Sequence, residues 1–139
     1  MKNNKKSYVV HPLFETQKKI NPVVLRFILS NEFTRVDFGY AAPWMYIKGG
    51  WIHIAPHAYL AIDGSPKKYA LMHTENIPIA PQKHEFETTE DWKVFSLFFE
   101  PLPIQDCVVN LIEEENPSEN DFNYYALKLE NVLDVEIIP

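Results

Sequence analysis

Apolar and polar residues alternate with a period of two along much of this 139-residue chain. In TRVDFGY, residues 34–40, the even-numbered side chains fall on one side of an extended backbone, and Arg35 and Asp37 fall on the other. The stretch 92–99, WKVFSLFF, is largely apolar on both sides, which is typical of a central strand. Because successive side chains of a strand point to opposite faces of a sheet, these patterns predict an all-β protein.

Further strand-length runs support the same fold class. They are PVVLRFIL from Pro22, CVVNLI from Cys107, NYYALKL from Asn123, and VLDVEII, in which Leu133, Val135 and Ile137 are expected to face inward. No stretch combines a long 3.6-residue apolar period with helix caps.

Two glycine-containing turns are expected between neighbouring strands. Gly49-Gly50 separates WMYI from WIHI, and Asp63-Gly64 separates HAYLAI from KKYALM, so each is predicted to close a hairpin. Roughly nine or ten short strands at this spacing predict a single-domain antiparallel β-sandwich over residues 1–139, with a small β-barrel as the second choice. Residues 1–7 are expected to be a loose N-terminal tail.

Composition is that of an ordinary soluble globular domain, with 46% apolar and 23% charged residues. Cys107 is the only cysteine, which excludes an intrachain disulfide and fits a reducing compartment. No signal-peptide pattern and no membrane-spanning run is found. We therefore expect a cytoplasmic protein without membrane insertion.

Charge is distributed unevenly along the chain, whose net charge is −6. Residues 1–70 carry ten basic and four acidic side chains, whereas residues 71–139 carry three basic and fifteen acidic ones. Such asymmetry indicates a charged partner, an oligomer with complementary faces, or simple solvation. The chain has only two arginines and no basic stripe, so nucleic acid is not an expected partner.

His53 and His57 have a spacing that deserves a test as a metal site. Pro56 prevents the helix that would place both imidazoles on one face, and on a straight strand the two lie about 13 Å apart. Only a bend at Ala55-Pro56 with a third ligand from His11, His73 or His84 could bind a metal ion. We therefore predict two half-buried sheet histidines, no metal and no cofactor.

Four aromatic residues form the candidate ligand or partner surface: Tyr40, Trp44, Tyr46 and Trp51. Facing one another across a hairpin, they would make a cross-strand cluster with a sufficient structural role in the core. The functional alternative is an exposed platform for a sugar ring or an apolar partner.

Catalytic patterns are not found. Cys107 follows Asp106, whose charge raises a thiol pKa, and neither a G-x-S-x-G elbow nor a glycine-rich phosphate loop occurs. The acidic stretch EEENPSEND, residues 113–121, lacks the calcium-loop pattern and is expected to be a solvated loop. No catalytic residue is therefore assigned, and we expect the protein not to be an enzyme.

The combination FTRVDFGY, GGWIHIAPHAYL, LFFEPLP and VNLIEEE resembles uncharacterised bacterial proteins with an immunoglobulin-like β-sandwich, over residues 20–130. The resemblance implies a fold, and it assigns no chemistry and no functional residues.

The leading functional hypothesis is a non-enzymatic binding module that uses sheet edges or loops to bind a protein or other macromolecule. A homo-oligomer formed through sheet edges is a related expectation. The alternatives are a small β-barrel that holds an apolar small molecule and a histidine-based, cupin-like metal enzyme. A closed apolar cavity would favour the first alternative, and converging histidines would favour the second.

Overall fold

The computed structural model describes residues 7–11, 22–41, 51–85, 92–117, 121–134 and 137–138. These residues form eleven strands and one 3-10 turn at Val132–Asp134, without an α-helix, so the predicted all-β class is confirmed. Among them, no helix is long and apolar enough to cross a membrane. The strands are β1 (Ser7–Val10), β2 (Val23–Leu29), β3 (Thr34–Ala41), β4 (Trp51–Ile52), β5 (Tyr59–Ile62), β6 (Tyr69–Glu75), β7 (His84–Glu85), β8 (Trp92–Phe99), β9 (Cys107–Ile112), β10 (Tyr124–Leu129) and β11 (Ile137–Ile138).

Nine of these strands form one antiparallel sheet in the order β10-β9-β5-β6-β8-β3-β2-β1-β11. The other two, β4 and β7, pair with each other. Strand β8 lies between β6 and β3 and pairs with both, which confirms the central strand predicted from its two apolar faces.

Aromatic rings fill the centre of the core. Phe38 of β3 and Phe95 of β8 stack with ring centroids 5.0 Å apart, and Phe122 packs edge-on against both. Tyr124, at the start of β10, lies 5.7 Å from Phe38 and donates its hydroxyl proton to the carbonyl of Pro22 over 2.7 Å. The sheet is therefore curved so strongly that β10, at one end, packs over β3 and β8. The curved sheet encloses a single core.

The turn at Asp63-Gly64 is confirmed. It joins β5 to β6, Tyr59 pairs with Ala70, and the N–H of Ser65 donates to the carbonyl of Ile62 over 2.9 Å. Gly64 has φ +84°, a value that residues with a Cβ adopt at a cost. The other expected turn, Gly49-Gly50, lies outside the described residues, and within them β4 pairs with β7.

The C-terminal prediction is wrong at Leu133. This side chain was expected to face inward on a strand, but it lies in the 3-10 turn and is 67% exposed. Val132 is buried in its place, and its N–H donates to the carboxylate of Asp106 over 2.8 Å, which fixes the turn. Val135 lies outside the described residues, and Ile137 belongs to β11, which pairs with β1.

The N-terminal tail was expected to extend through residue 7. Ser7 instead begins β1, which pairs with β2 and β11, while residues 1–6 lie outside the described part of the chain. Residue 7 therefore belongs to the sheet, and the loose tail over residues 1–6 stays a prediction.

Candidate functional site

A groove of about 520 Å³ opens on the surface where two loops meet beside the sheet. One wall is formed by residues 56–59, which lead into β5, and the other by residues 113–116, which follow β9. Tyr59 pairs with Ile112, so the strand register places the two segments side by side. Lys68 and Ala70 complete the lining, and this surface is called the groove below.

Glu113 ties the two walls together from behind. This residue is only 5% exposed, and its carboxylate accepts the N–H of Ala55 over 2.8 Å and the N–H of Phe122 over 2.7 Å. Burial raises the pKa of Glu113 and outweighs these two hydrogen bonds, which act to lower it. One carboxylate thus satisfies two backbone donors from distant parts of the chain and fixes the spacing of the walls.

Asn123 holds the acidic wall from the other side. Its side-chain oxygen accepts the N–H groups of Glu113 and Glu114 over 3.1 and 3.2 Å. Its amide nitrogen donates to the carbonyl of Glu114 over 2.8 Å and to the hydroxyl of Tyr125 over 2.9 Å. The loop that carries Glu114 is therefore fixed by side-chain bonds to its backbone.

Two further carboxylates point into the groove. Glu114 lies 2.9 Å from Nε2 of His57, and both side chains are exposed. Glu115 accepts hydrogen bonds from the hydroxyl of Tyr59 over 3.3 Å and from Nζ of Lys68 over 3.2 Å. Exposed pairs of this kind contribute little to stability, so they can open to admit a ligand.

The Lys68 ammonium shows how a cation sits in the groove. Its Nζ lies 4.7 Å from the centre of the Tyr59 ring and against Glu115. The hydrogen bond between them raises the pKa of Lys68 and lowers the pKa of Glu115. The carboxylates of Glu114 and Glu115 contact His57 and Lys68, and the buried carboxylate of Glu113 lies behind them, so the groove favours positively charged groups.

The four aromatic candidates do not form a single described cluster. Tyr40 is half-buried on β3 and packs against the core of the large sheet. Trp51 begins β4, which belongs to the two-stranded sheet. Trp44 and Tyr46 lie outside the described residues. Both the cross-strand aromatic cluster and the ligand surface at these four residues therefore stay predictions.

His57 differs from its prediction, because it is exposed in a turn rather than half-buried in a strand. The N–H of Ala58 donates to the carbonyl of Ala55 over 3.2 Å, so the chain does bend at Ala55-Pro56. His53 is half-buried, as expected, but it follows the end of β4 at Ile52 rather than lying within a strand. Within the described ranges, no group of three or more histidine, cysteine or acidic side chains is placed to hold a metal ion.

The single cysteine is half-buried in β9. Burial, with a smaller contribution from the charge of Asp106, raises the pKa of Cys107 to about 11. The thiol is therefore protonated at neutral pH, which agrees with the direction predicted from the adjacent acid and makes Cys107 a weak nucleophile.

Sequence reasoning missed the groove because it placed residues 113–121 in a solvated loop. That prediction is wrong at Glu113, whose carboxylate is buried. A signal was available: Val109, Leu111 and Glu113 continue the two-residue alternation of β9 on its buried side. A carboxylate at an inward position of a strand pattern requires buried hydrogen-bond donors, and here the donors are the N–H of Ala55, next to the other wall, and the N–H of Phe122.

Comparison with protein-family models, with curated proteins and with solved structures finds no match for this chain.

Proposed function

We propose that this protein is a non-enzymatic binding module that holds a positively charged segment of a partner protein in the groove. The observation that supports this most strongly is the buried carboxylate of Glu113, which bonds to both Ala55 and Phe122 and so fixes the groove walls. Loops held by a rigid scaffold are where binding residues concentrate in β-proteins.

Preorganisation is the physical reason why these contacts favour binding. Ordering loops and side chains during association costs free energy that subtracts from affinity. Here the side chains of Glu113 and Asn123 already order the backbone of residues 113 and 114 in the free protein. A partner therefore meets the carboxylates of Glu114 and Glu115 on a segment whose backbone is ordered before binding.

Charge defines the kind of partner. Residues 71–139, which include the acidic wall, carry twelve more acidic than basic side chains, and this excess attracts a basic segment at long range. Within the groove, a lysine or arginine side chain of the partner takes the place of the Lys68 ammonium, between Glu115 and the face of Tyr59.

The aromatic core supports a filled sandwich rather than a barrel that holds an apolar molecule. Phe38, Phe95 and Phe122 are in mutual contact at the centre of the fold, where such a ligand would have to lie. We propose that the curved sheet packs as the two layers of an antiparallel β-sandwich, with β10 over β3. The immunoglobulin-like description rests on the sequence resemblance.

Binding through the free edge of β10 is less well supported than binding through the groove. A bulge between Tyr124 and Leu127 interrupts the strand, and Ala126 within it has φ +58°. Bulges of this kind hinder the addition of another strand to a sheet edge. We therefore place the partner at the loops rather than at this edge.

The test is a pull-down from an extract of the cells that make the protein, followed by mass spectrometry. We expect the wild-type protein to retain a partner with a basic segment, and the double variant Glu114→Gln/Glu115→Gln to lose it. Both side chains are exposed, so the double substitution leaves the fold intact, which a thermal melt checks.

A matched control distinguishes binding at the groove from general attraction to acidic side chains. Glu75→Gln/Glu130→Gln removes the same charge from two exposed positions that do not line the groove. This control should retain the partner as the wild type does. Equal retention by the groove variant, equal loss in the control, or no retained partner with the wild type would each contradict the proposal.

A further inference from the structure

Both arginines of the chain converge on one buried carboxylate on the outer face of the large sheet. Val36 and Phe38 of β3 face the core, so Asp37 between them points away from it. Asp37 is nevertheless only 1% exposed, because its neighbours cover it. The register places Arg26 of β2 on one side of Asp37 and Ser96 of β8 on the other.

Three side chains donate hydrogen bonds to this carboxylate. Nε of Arg26 lies 2.6 Å from Oδ2 of Asp37, Nε of Arg35 lies 2.8 Å from Oδ1, and the hydroxyl of Ser96 lies 2.6 Å from the same Oδ1. Burial on its own would raise the pKa of Asp37, but these donors outweigh burial and lower it. Asp37 is therefore ionised at neutral pH and holds both guanidinium groups in place.

Asp37 uses only a small part of the N–H donors of the two guanidinium groups. Each donates its Nε–H to Asp37, and within the described part of the chain its four Nη hydrogens have no hydrogen-bond partner, so they can bind other acceptors. The side chains of Arg26 and Arg35 are 46% and 34% exposed, so solvent and solutes reach them. The two guanidinium groups and the one carboxylate of Asp37 together carry a net charge of +1.

The surroundings of the arginines are partly aromatic. The Arg35 guanidinium lies 5.5 Å from the centre of the Phe98 ring, and Phe33 and His73 also pack against that ring. Glu75 of β6 lies next to the cluster, because it pairs in register with Ser96. A carboxylate oxygen of Glu75 lies 4.0 Å from Nε2 of His73. Stacking on Phe98 further restricts the orientation of Arg35.

We propose that Arg26 and Arg35 form a binding site for an oxyanion, the carboxylate or phosphate group of a ligand. Guanidinium groups bind such oxyanions through paired, charge-assisted hydrogen bonds, and their affinity rises when their orientation is fixed in advance. Asp37 is the positioning residue, because it orients both arginines and does not itself contact the ligand. The site is separate from the groove and has the opposite charge preference.

The test uses the fact that Arg26 and Arg35 are the only arginines of the chain. The side-chain Nε–Hε region of a ¹H–¹⁵N spectrum then holds two arginine signals, which single substitutions assign. We titrate the wild-type protein with inorganic phosphate in one series and with acetate in another, at constant ionic strength set by chloride. We expect both arginine signals to shift and to saturate, and the anion that binds more tightly identifies the ligand group.

Charge-conserving variants test the geometry. Arg26→Lys and Arg35→Lys keep the charge and lose the paired donors, so each should weaken anion binding about tenfold, the effect of one strong hydrogen-bonded pair. Lys128→Gln, at an exposed position of β10, removes one positive charge elsewhere and should leave binding unchanged. A thermal melt identifies a variant that fails to fold, and the wild-type titration remains decisive in that case.

The following results would contradict the proposed oxyanion site. Arginine signals that move linearly without saturation in both series, or that shift no more than the signals of exposed lysines, would show that no site exists. The same affinity in the two lysine variants as in the wild type would exclude recognition by these guanidinium groups. None of these results depends on whether the groove binds a basic segment.

Discussion

The backbone N–H of Ala55 donates to the carboxylate of Glu113, 58 residues later in the chain, over 2.8 Å. The other oxygen of the same carboxylate accepts the N–H of Phe122. Because the two walls of the groove are joined through this one buried group, the shape of the groove and the stability of this end of the sheet depend on the same side chain.

Glu113→Gln should destabilise the fold by about 1–3 kcal/mol, the cost of an unmet buried hydrogen bond. Glutamine has the same shape, but its NH₂ group turns a donor toward either Ala55 or Phe122, each of which is itself a donor. Urea denaturation measures the change. Glu130→Gln is the exposed control and should change stability by less than about 0.5 kcal/mol. Equal stabilities of the two variants would exclude this role for Glu113.

Gly64→Val should destabilise the protein by about 1–3 kcal/mol, because the turn requires a positive φ that a β-branched residue tolerates poorly. A Cβ at this position would meet no atom within 4 Å, so the cost arises from the backbone alone. Gly64→Asn should cost less, because asparagine adopts this conformation more easily. A denaturation midpoint that is the same for all three proteins would contradict the turn assignment.

Asp37 should make the protein sensitive to acid. Its pKa in the folded state lies below the ordinary value of 3.8, so its stabilising contribution is present above pH 3.8 and disappears as pH falls through the folded pKa. Asp37→Asn should therefore be less stable than the wild type at pH 7, by about 1–3 kcal/mol for hydrogen bonds to a charged group. The difference should shrink in urea titrations at pH 3 and below. A difference that does not depend on pH would show that the charge is not responsible.

Removal of metal ions should leave the melting temperature unchanged. His57 is engaged by Glu114, and the described residues bring no third metal-binding side chain to it. A structural metal would stabilise the fold by mass action, so a chelator would lower the melting temperature if one were bound. One equivalent of zinc or iron that survives dialysis and is lost in His53→Ala/His57→Ala would establish the metal site instead.

The strands were predictable because successive side chains of a strand point to opposite faces of the sheet, so the alternation of apolar and polar residues follows which side chains are buried. Strands β2, β3, β8 and β9 lie where apolar runs predicted them, and the Asp63-Gly64 turn follows from residues adjacent in sequence. At Leu133 the local rule failed, since the backbone N–H groups of Asn131 and Val132 bind the carboxylate of Asp106, about 25 residues earlier, and this long-range contact favours a 3-10 turn over a strand.

The two polar sites could not be predicted in the same way. Alternation places Asp37 on the outer face of β3, where a charged residue is normally solvated, and only the register with β2 and β8 brings Arg26 and Ser96 to it. The groove likewise depends on contacts between Ala55 and Glu113 that no local pattern encodes. Alternation indicates which face a side chain takes, but long-range pairing determines its partners.

The most direct test of the central claim is a ¹⁵N NMR titration of the protein with a peptide of alternating lysine and glycine. We expect saturable shifts confined to the amides of residues 57–59, 68 and 113–116, and affinity about tenfold weaker in Glu114→Gln/Glu115→Gln, the effect of losing a charged contact. An otherwise identical peptide with glutamate in place of lysine should shift none of these amides. Shifts spread evenly over exposed acidic residues such as Glu75 and Glu130, or unchanged affinity in the double variant, would contradict the groove as the binding site.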